Sequence, residues 1–115
     1  MYTVEGENYQ GLFGYVCGTS STYANINNVG VVNSQIKGRL YCGAVVGYAY
    51  YTNVIECFNE AIISATLYYV GGIIGYSDHT SIHDCYNTGA VTSTYSGSSG
   101  YAGGVVGYLD RKSVV

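Results

Sequence analysis

Gly71-Gly72-Ile73-Ile74-Gly75-Tyr76 and Gly103-Gly104-Val105-Val106-Gly107-Tyr108 are two copies of one phrase. Gly43-Ala44-Val45-Val46-Gly47-Tyr48 and Gly11-Leu12-Phe13-Gly14-Tyr15 are the other two. Their anchor glycines, Gly14, Gly47, Gly75 and Gly107, lie 33, 28 and 32 residues apart. A period near 30 marks a repeat architecture, in which one unit cannot bury its apolar face alone.

A second phrase alternates with the first. It runs Asp84-Cys85-Tyr86-Asn87-Thr88-Gly89-Ala90-Val91, with Glu56-Cys57-Phe58-Asn59-Glu60-Ala61-Ile62-Ile63 before it. Asn25-Ile26-Asn27-Asn28-Val29-Gly30-Val31-Val32 is its earliest copy. This alignment makes Ile26, Cys57 and Cys85 equivalent, likewise Asn28, Asn59 and Asn87, and likewise Val32, Ile63 and Val91. The phrase reads strand–turn–strand, because Asn and Gly tolerate backbone conformations that other residues avoid. Length variation then falls mainly after the asparagine. There Thr92 to Gly100 reads as a flexible polar loop by composition.

The first phrase reads as a strand. Side chains alternate with period 2, which puts Phe13, Val46, Ile74 and Val106 on one face with Tyr15, Tyr48, Tyr76 and Tyr108. Leu12, Val45, Ile73 and Val105 take the other face, so both are apolar, as in a strand covered on both sides. A further tyrosine precedes each copy: Tyr9, Tyr41, Tyr69 and Tyr101. The economical fold is all-β: a β-solenoid, parallel β-helix-like, with two or three short strands per coil. The units run approximately 9–40, 41–68, 69–100 and 101–115, three full coils and a partial one in a single domain spanning 1–115. Equivalent residues then form Val/Ile/Phe, Tyr, Asn and Cys/Ile ladders. The alternative is an antiparallel β-sandwich of repeated hairpins. Val114 falls where Val54 and Ile82 fall in earlier units, and no further turn phrase follows it. An open last coil leaves strand edges that invite addition.

Composition narrows the function classes. The charged fraction is 10%, far below the ordinary value of about 25%. Lys37, Arg39, Arg111 and Lys112 are the only basic side chains besides the histidines, and net charge is −3, which argues against a nucleic-acid partner. Apolar stretches are much shorter than the ~20 residues of a spanning helix, so no membrane span is expected. The first residues lack the pattern of a secretory leader, so a leader for an exported parent would lie outside this chain.

Tyr69-Val-Gly-Gly-Ile-Ile-Gly-Tyr76, Tyr101-Ala-Gly-Gly-Val-Val-Gly-Tyr108 and Cys85-Tyr86-Asn87-Thr88-Gly89 resemble the GLUG repeat of bacterial surface and secreted proteins. The resemblance runs from about residue 9 to 108. The first unit departs most, with Gln10-Gly11 for the paired glycines and Ile26 for Cys. It implies an extracellular or cell-surface location and an adhesin-like or spacer role, and it carries over no catalytic residue.

Candidate chemistry is sparse. No Cys-x-x-Cys pair exists among Cys17, Cys42, Cys57 and Cys85; Cys57 and Cys85 read as buried thiols, with a bridge between them disfavoured by parallel side chains, whereas Cys17 and Cys42 are not equivalent and the sequence leaves open their exposure and a bridge between them. Asp78-His79-Thr80-Ser81-Ile82-His83-Asp84-Cys85 collects metal-ligating types, yet reads as a polar coil edge. Glu56 and Asp84 are equivalents and read as stacked solvated acids; as a pair they are the weak signal for a carbohydrate-active β-helix enzyme. No cofactor is expected. The leading reading is a non-enzymatic structural or adhesive repeat module that presents Tyr and Asn rows to neighbouring repeats, a glycan or a host surface protein. Tyr50, Tyr51, Tyr68 and Tyr95, off the ladders, are the candidate contact surface. The second reading is a self-assembling filament subunit stacking end to end.

Overall fold

The computed structural model describes residues 8–95 and 100–110, which form a stack of coils measuring 37 × 29 × 21 Å. Among the described residues sixteen short strands, numbered in chain order, fall into five parallel sheets. The widest joins β1 (Phe13–Cys17), β6 (Val46–Tyr50), β11 (Ile74–Asp78) and β16 (Val106–Asp110) in that order. A second joins β5 (Cys42–Gly43), β10 (Tyr69–Gly71) and β15 (Tyr101–Gly103). The third holds β2 (Ala24–Asn27), β7 (Thr52–Ile55) and β12 (Ser81–His83). The fourth holds β3 (Gly30–Val31), β8 (Phe58–Asn59) and β13 (Tyr86–Asn87), and the fifth β4 (Gln35–Gly38), β9 (Ile62–Ala65) and β14 (Val91–Ser93).

Strands of one coil never pair with each other among the described residues. Each pairs with its counterpart one coil away, and every pairing is parallel. That is the β-solenoid, and it removes the antiparallel sandwich. A complete coil carries five strands rather than two or three, because corner residues break the chain into pieces of two to five residues. Several corners are left-handed at non-glycine residues. Asn28 (φ 57°), Glu56 (φ 54°) and Asp84 (φ 53°) occupy one corner of successive coils, and Tyr51 (φ 48°) and His79 (φ 50°) another.

The expected strand ladder is present: Phe13, Val46, Ile74 and Val106 are in register, as are Tyr15, Tyr48, Tyr76 and Tyr108. The first-coil alignment of the second phrase is corrected. Val31, not Asn28, pairs with Asn59, which pairs with Asn87. Ile26 pairs with Val54 and then Ile82, so it is not the equivalent of Cys57 and Cys85. Gly30 opposite Phe58 puts Val29 in the Cys57 position. Ile36, not Val32, pairs with Ile63, which pairs with Val91, and Val32 is exposed. The cause is an enlarged corner. Cys17 pairs with Tyr50, but Ala24 pairs with Thr52, so the first coil takes extra residues between its first two strands. A motif comparison absorbed that insertion by choosing the wrong asparagine.

Extra length in the third coil does lie after the asparagine, between β14 and β15. Residues 96–99 of that loop, the N-terminal residues 1–7, and Arg111, Lys112 and Val114 lie outside the described residues.

Rows of aliphatic side chains fill the interior. Ile26, Val54 and Ile82 form one, Ile36 and Ile63 a second, Val45 and Ile73 a third, and Val46 and Ile74 a fourth. Each fully buried Val or Ile contributes about 1.5–3 kcal/mol over its exposed state. Val45 and Val46 are both fully buried although adjacent. Strict alternation fails here because the strand kinks: the N–H groups of Val45 and Val46 both donate to the Ile73 carbonyl (3.0 and 3.0 Å). One coil on, Ile73 and Ile74 both donate to the Val105 carbonyl (2.9 and 3.0 Å). Doubling two residues against one turns the following side chains to a new direction. Val46 and Ile74 therefore enter the core while Tyr48 and Tyr76, expected on the same covered face, reach the surface.

Asn59 is fully buried and clamps its own turn. Its Oδ1 accepts from the Ala61 N–H (2.7 Å), and its Nδ2 donates to the Ala61 carbonyl (3.0 Å) and to Asn87 Oδ1 (2.7 Å). Asn87 repeats the clamp on Gly89.

Two substitutions test this packing. A Cβ at Gly75 would lie 2.5 Å from the Cys42 nitrogen and 2.7 Å from the Gly47 carbonyl oxygen, backbone on both sides. Gly75→Ala is expected to lose about 2–3 kcal/mol in urea unfolding. Ser77 Oγ is buried without a hydrogen-bond partner, in register with Ala49. Ser77→Ala is expected to gain about 1 kcal/mol in the same assay.

Candidate functional site: a double column of tyrosines

The first phrase of each coil delivers a tyrosine to the outer surface. Tyr15, Tyr48, Tyr76 and Tyr108 stack face to face, with ring centroids 5.1, 4.7 and 4.9 Å apart and planes within 10–12°. The tyrosine at the start of each phrase builds a second column beside it. Tyr9, Tyr41, Tyr69 and Tyr101 stack at 4.9, 5.3 and 5.4 Å. The two columns meet edge to face. Tyr41 and Tyr48 are 5.2 Å apart at 75°, Tyr69 and Tyr76 5.1 Å at 82°, and Tyr101 and Tyr108 5.4 Å at 79°.

This herringbone follows from the quadrupole of an aromatic ring, whose positive edge seeks a negative face. Such contacts are worth about 0.5–1.5 kcal/mol each beyond buried area. Ring faces are consumed by the stacking within each column. Both columns repeat at the coil spacing of about 4.8 Å. Tyr15 is 54% exposed and Tyr108 36% at the two ends, and the inner rings are partly covered.

Asp78 and Asp110 are in register two residues past Tyr76 and Tyr108, and they flank the column with carboxylates. Burial is the first cause that pushes the Tyr48 phenol far above the ordinary value, followed by Tyr76 and Asp78. Tyr76 is raised by burial and then by Asp110, and Tyr41 and Tyr69 by burial and then by neighbouring phenols. All four therefore stay neutral donors and acceptors at physiological pH.

The tyrosines expected to form the contact surface lie elsewhere and are half-buried. Tyr50 packs on Tyr51 (4.5 Å), and Tyr51 stacks on His79 (4.6 Å). Tyr68 meets Tyr95 edge to face (5.0 Å) and abuts Tyr69 of the column. The most exposed tyrosines are instead Tyr15 and Tyr86. Tyr9, Tyr41, Tyr69 and Tyr101 were legible as a recurrent tyrosine but not as half of the surface. The signal was the offset of seven residues from Tyr41, Tyr69 and Tyr101 to Tyr48, Tyr76 and Tyr108, with Tyr9 six before Tyr15. The asparagine row is no contact surface either, since Asn59 is buried and its amide is committed to the turn.

Other candidate groups do not converge. His79 Nδ1 lies 2.5 Å from Asp78 Oδ1, while His83 sits on β12 and Asp84 on the following corner. No group of three or more His, Cys, Asp or Glu could hold a metal ion among the described residues. Glu56 and Asp84 share an exposed corner one coil apart. All four cysteines are free. Cys42 is fully buried and its thiol is pushed up to about 11 by burial, with a backbone hydrogen bond from Gln10 opposing. Cys57 and Cys85 donate to carbonyls of their own and the preceding coil. No helix is long and apolar enough to cross a membrane among the described residues.

Residues 66–92 match the family model described as the GLUG motif, a span that includes the Tyr69–Tyr76 phrase and the Asn87 turn. Comparison with curated proteins and with solved structures finds no match.

Two solution measurements follow from the site. Raised phenol values favour the neutral form in the folded state. The folded chain thus keeps protons that the unfolded chain loses, so stability is full below pH ~10 and falls as pH rises above it. Absorbance titration is expected to show a tyrosine class ionising well above the rest, merging with them in denaturant. With a thiol-reactive disulfide, Cys17 is expected to react at once, being exposed. Cys42 should react only on unfolding.

Proposed function

We propose that this GLUG-motif repeat protein is a non-catalytic adhesive module of a surface or secreted protein, and that the double tyrosine column is its contact surface. The observation that carries the reading is the combination of stacking and exposure: eight phenols stacked in two columns, with Tyr9, Tyr15, Tyr101 and Tyr108 exposed and Tyr41, Tyr48, Tyr69 and Tyr76 partly covered. Ordering costs little on binding, because stacking already fixes the rings. A hydroxyl-rich polymer with a repeat near the coil spacing, such as a glycan chain lying along the column, would meet one donor–acceptor after another. Asp78 and Asp110 add acceptors along one flank. Individual contacts are weak, and their sum along the array supplies the affinity.

A glycan array together with sedimentation on cellulose and chitin tests this. Replacing Tyr15, Tyr48, Tyr76 and Tyr108 together by Phe keeps the stack and removes its hydroxyls. Binding is expected to weaken at least about tenfold. Equal binding by that variant, or no glycan bound by the wild type, removes this reading.

A second reading, end-to-end addition of another copy, is favoured by the apolar side chains of the first coil. Leu12 is 47% and Phe13 41% exposed, on a strand with one hydrogen-bonded neighbour. Analytical ultracentrifugation is expected to show mass rising with concentration if copies stack, and a constant monomer mass if they do not.

A further inference from the structure

Parallel phenols held permanently beside one another have a chemistry of their own, independent of anything the surface binds. We propose that the double tyrosine column is a site of oxidative phenol coupling, in which a one-electron oxidant joins the rings of adjacent coils covalently and staples the solenoid.

The geometry favours it at several points. Six pairs of tyrosines are stacked coil on coil, with centroids between 4.7 and 5.4 Å and planes within 19°. The closest pair is Tyr48 and Tyr76. Backbone pairing fixes this proximity, since Tyr48 and Tyr76 are partners in the β6–β11 ladder. A ring that has lost an electron therefore has its reaction partner alongside, at an effective concentration that dilution does not lower.

The step balances as follows. Each of two phenols gives one electron and its hydroxyl proton to the oxidant. The two phenoxyl radicals form one carbon–carbon bond between their ε-carbons, ortho to oxygen. The hydrogen on each joined carbon then moves to its own oxygen and restores aromaticity. Two electrons and two protons leave in all, and they reduce one hydrogen peroxide to two waters when a haem peroxidase is the oxidant.

Tyr86 provides an internal contrast. It is 53% exposed, but its stacked partner one coil away is Phe58, which has no hydroxyl. Oxidation governed by exposure alone would mark Tyr86. Oxidation governed by the column would leave it out.

The test uses the full chain at low concentration, with the exposed Cys17 thiol alkylated first so that it does not consume oxidant. Haem peroxidase and hydrogen peroxide are added. The expected result is blue dityrosine fluorescence in a species that runs at monomer size in a denaturing gel. Cleavage after Glu56 and Glu60 should then leave residues 8–56 and 61–115 joined, as Tyr41–Tyr69 and Tyr48–Tyr76 links require. In the double variant Tyr41→Phe, Tyr48→Phe the rings still stack, and the joined halves are expected to fall at least about tenfold. Wild type oxidised in urea should show a similar fall, whereas Tyr86→Phe should match the folded wild type. Circular dichroism confirms that each variant is folded. Fluorescence found only in dimers, joined halves persisting in the double variant, or a yield lost with Tyr86→Phe would each overturn the proposal, as would folded wild type giving no dityrosine.

Discussion

Backbone hydrogen bonding between parallel strands sets a spacing of about 4.8 Å, and the coil has to accept it. Once each strand pairs only with its counterpart one coil away, a residue at a given coil position lies over its equivalent. Any side chain chosen there must pack against a copy of itself. Aliphatic residues do this inside, where Ile26, Val54 and Ile82 or Ile36 and Ile63 fill the interior in rows. Asparagine does it at a turn, where Asn59 donates to Asn87 while both close their own corners. Tyrosine does it outside, where the ring separation of 4.7 Å between Tyr48 and Tyr76 is close to the strand spacing itself. The columns are the backbone lattice expressed in side chains.

Glycine makes the outer columns compatible with the inner rows. At Gly47 and Gly75 the neighbouring backbone passes so closely that no Cβ fits. The doubled hydrogen bond just before these glycines sends two consecutive aliphatic residues inward and the next large residue outward. One short phrase therefore supplies two core positions, a close backbone approach and a surface ring. Its recurrence with so little variation has a direct physical cause.

The period, the parallel stacking and the Val/Ile/Phe and Tyr ladders were readable in the sequence, because each rests on a phrase repeated with its spacing intact. The first-coil register was not. Asn28-Val29-Gly30 imitates the turn phrase, and the enlarged corner before Ala24 moves the true equivalent to Val31. Local resemblance outweighed distance along the chain, and only pairing could arbitrate. The packing of the tyrosines was misread for a different reason. Off-ladder tyrosines looked free because nothing repeated around them, yet Tyr50, Tyr51, Tyr68 and Tyr95 pack on one another and on His79. Ladder tyrosines looked buried because they stack, although stacking covers faces and leaves edges open. Alternation could not show this, since the kink at Val45–Val46 breaks the two-residue rhythm that the inference assumed.

The enlarged corner between β1 and β2 has a practical meaning. There the chain leaves the lattice after Cys17, takes its additional residues, and returns at Ala24 in register with Thr52. The strands on either side keep their partners, so the corner absorbs length that the ladders never register. A foreign peptide grafted between Gly18 and Tyr23 would be displayed at one defined height in the stack of coils. Matching grafts at the Tyr51 and His79 corners would set epitopes at intervals of a single coil, a molecular ruler written in loops.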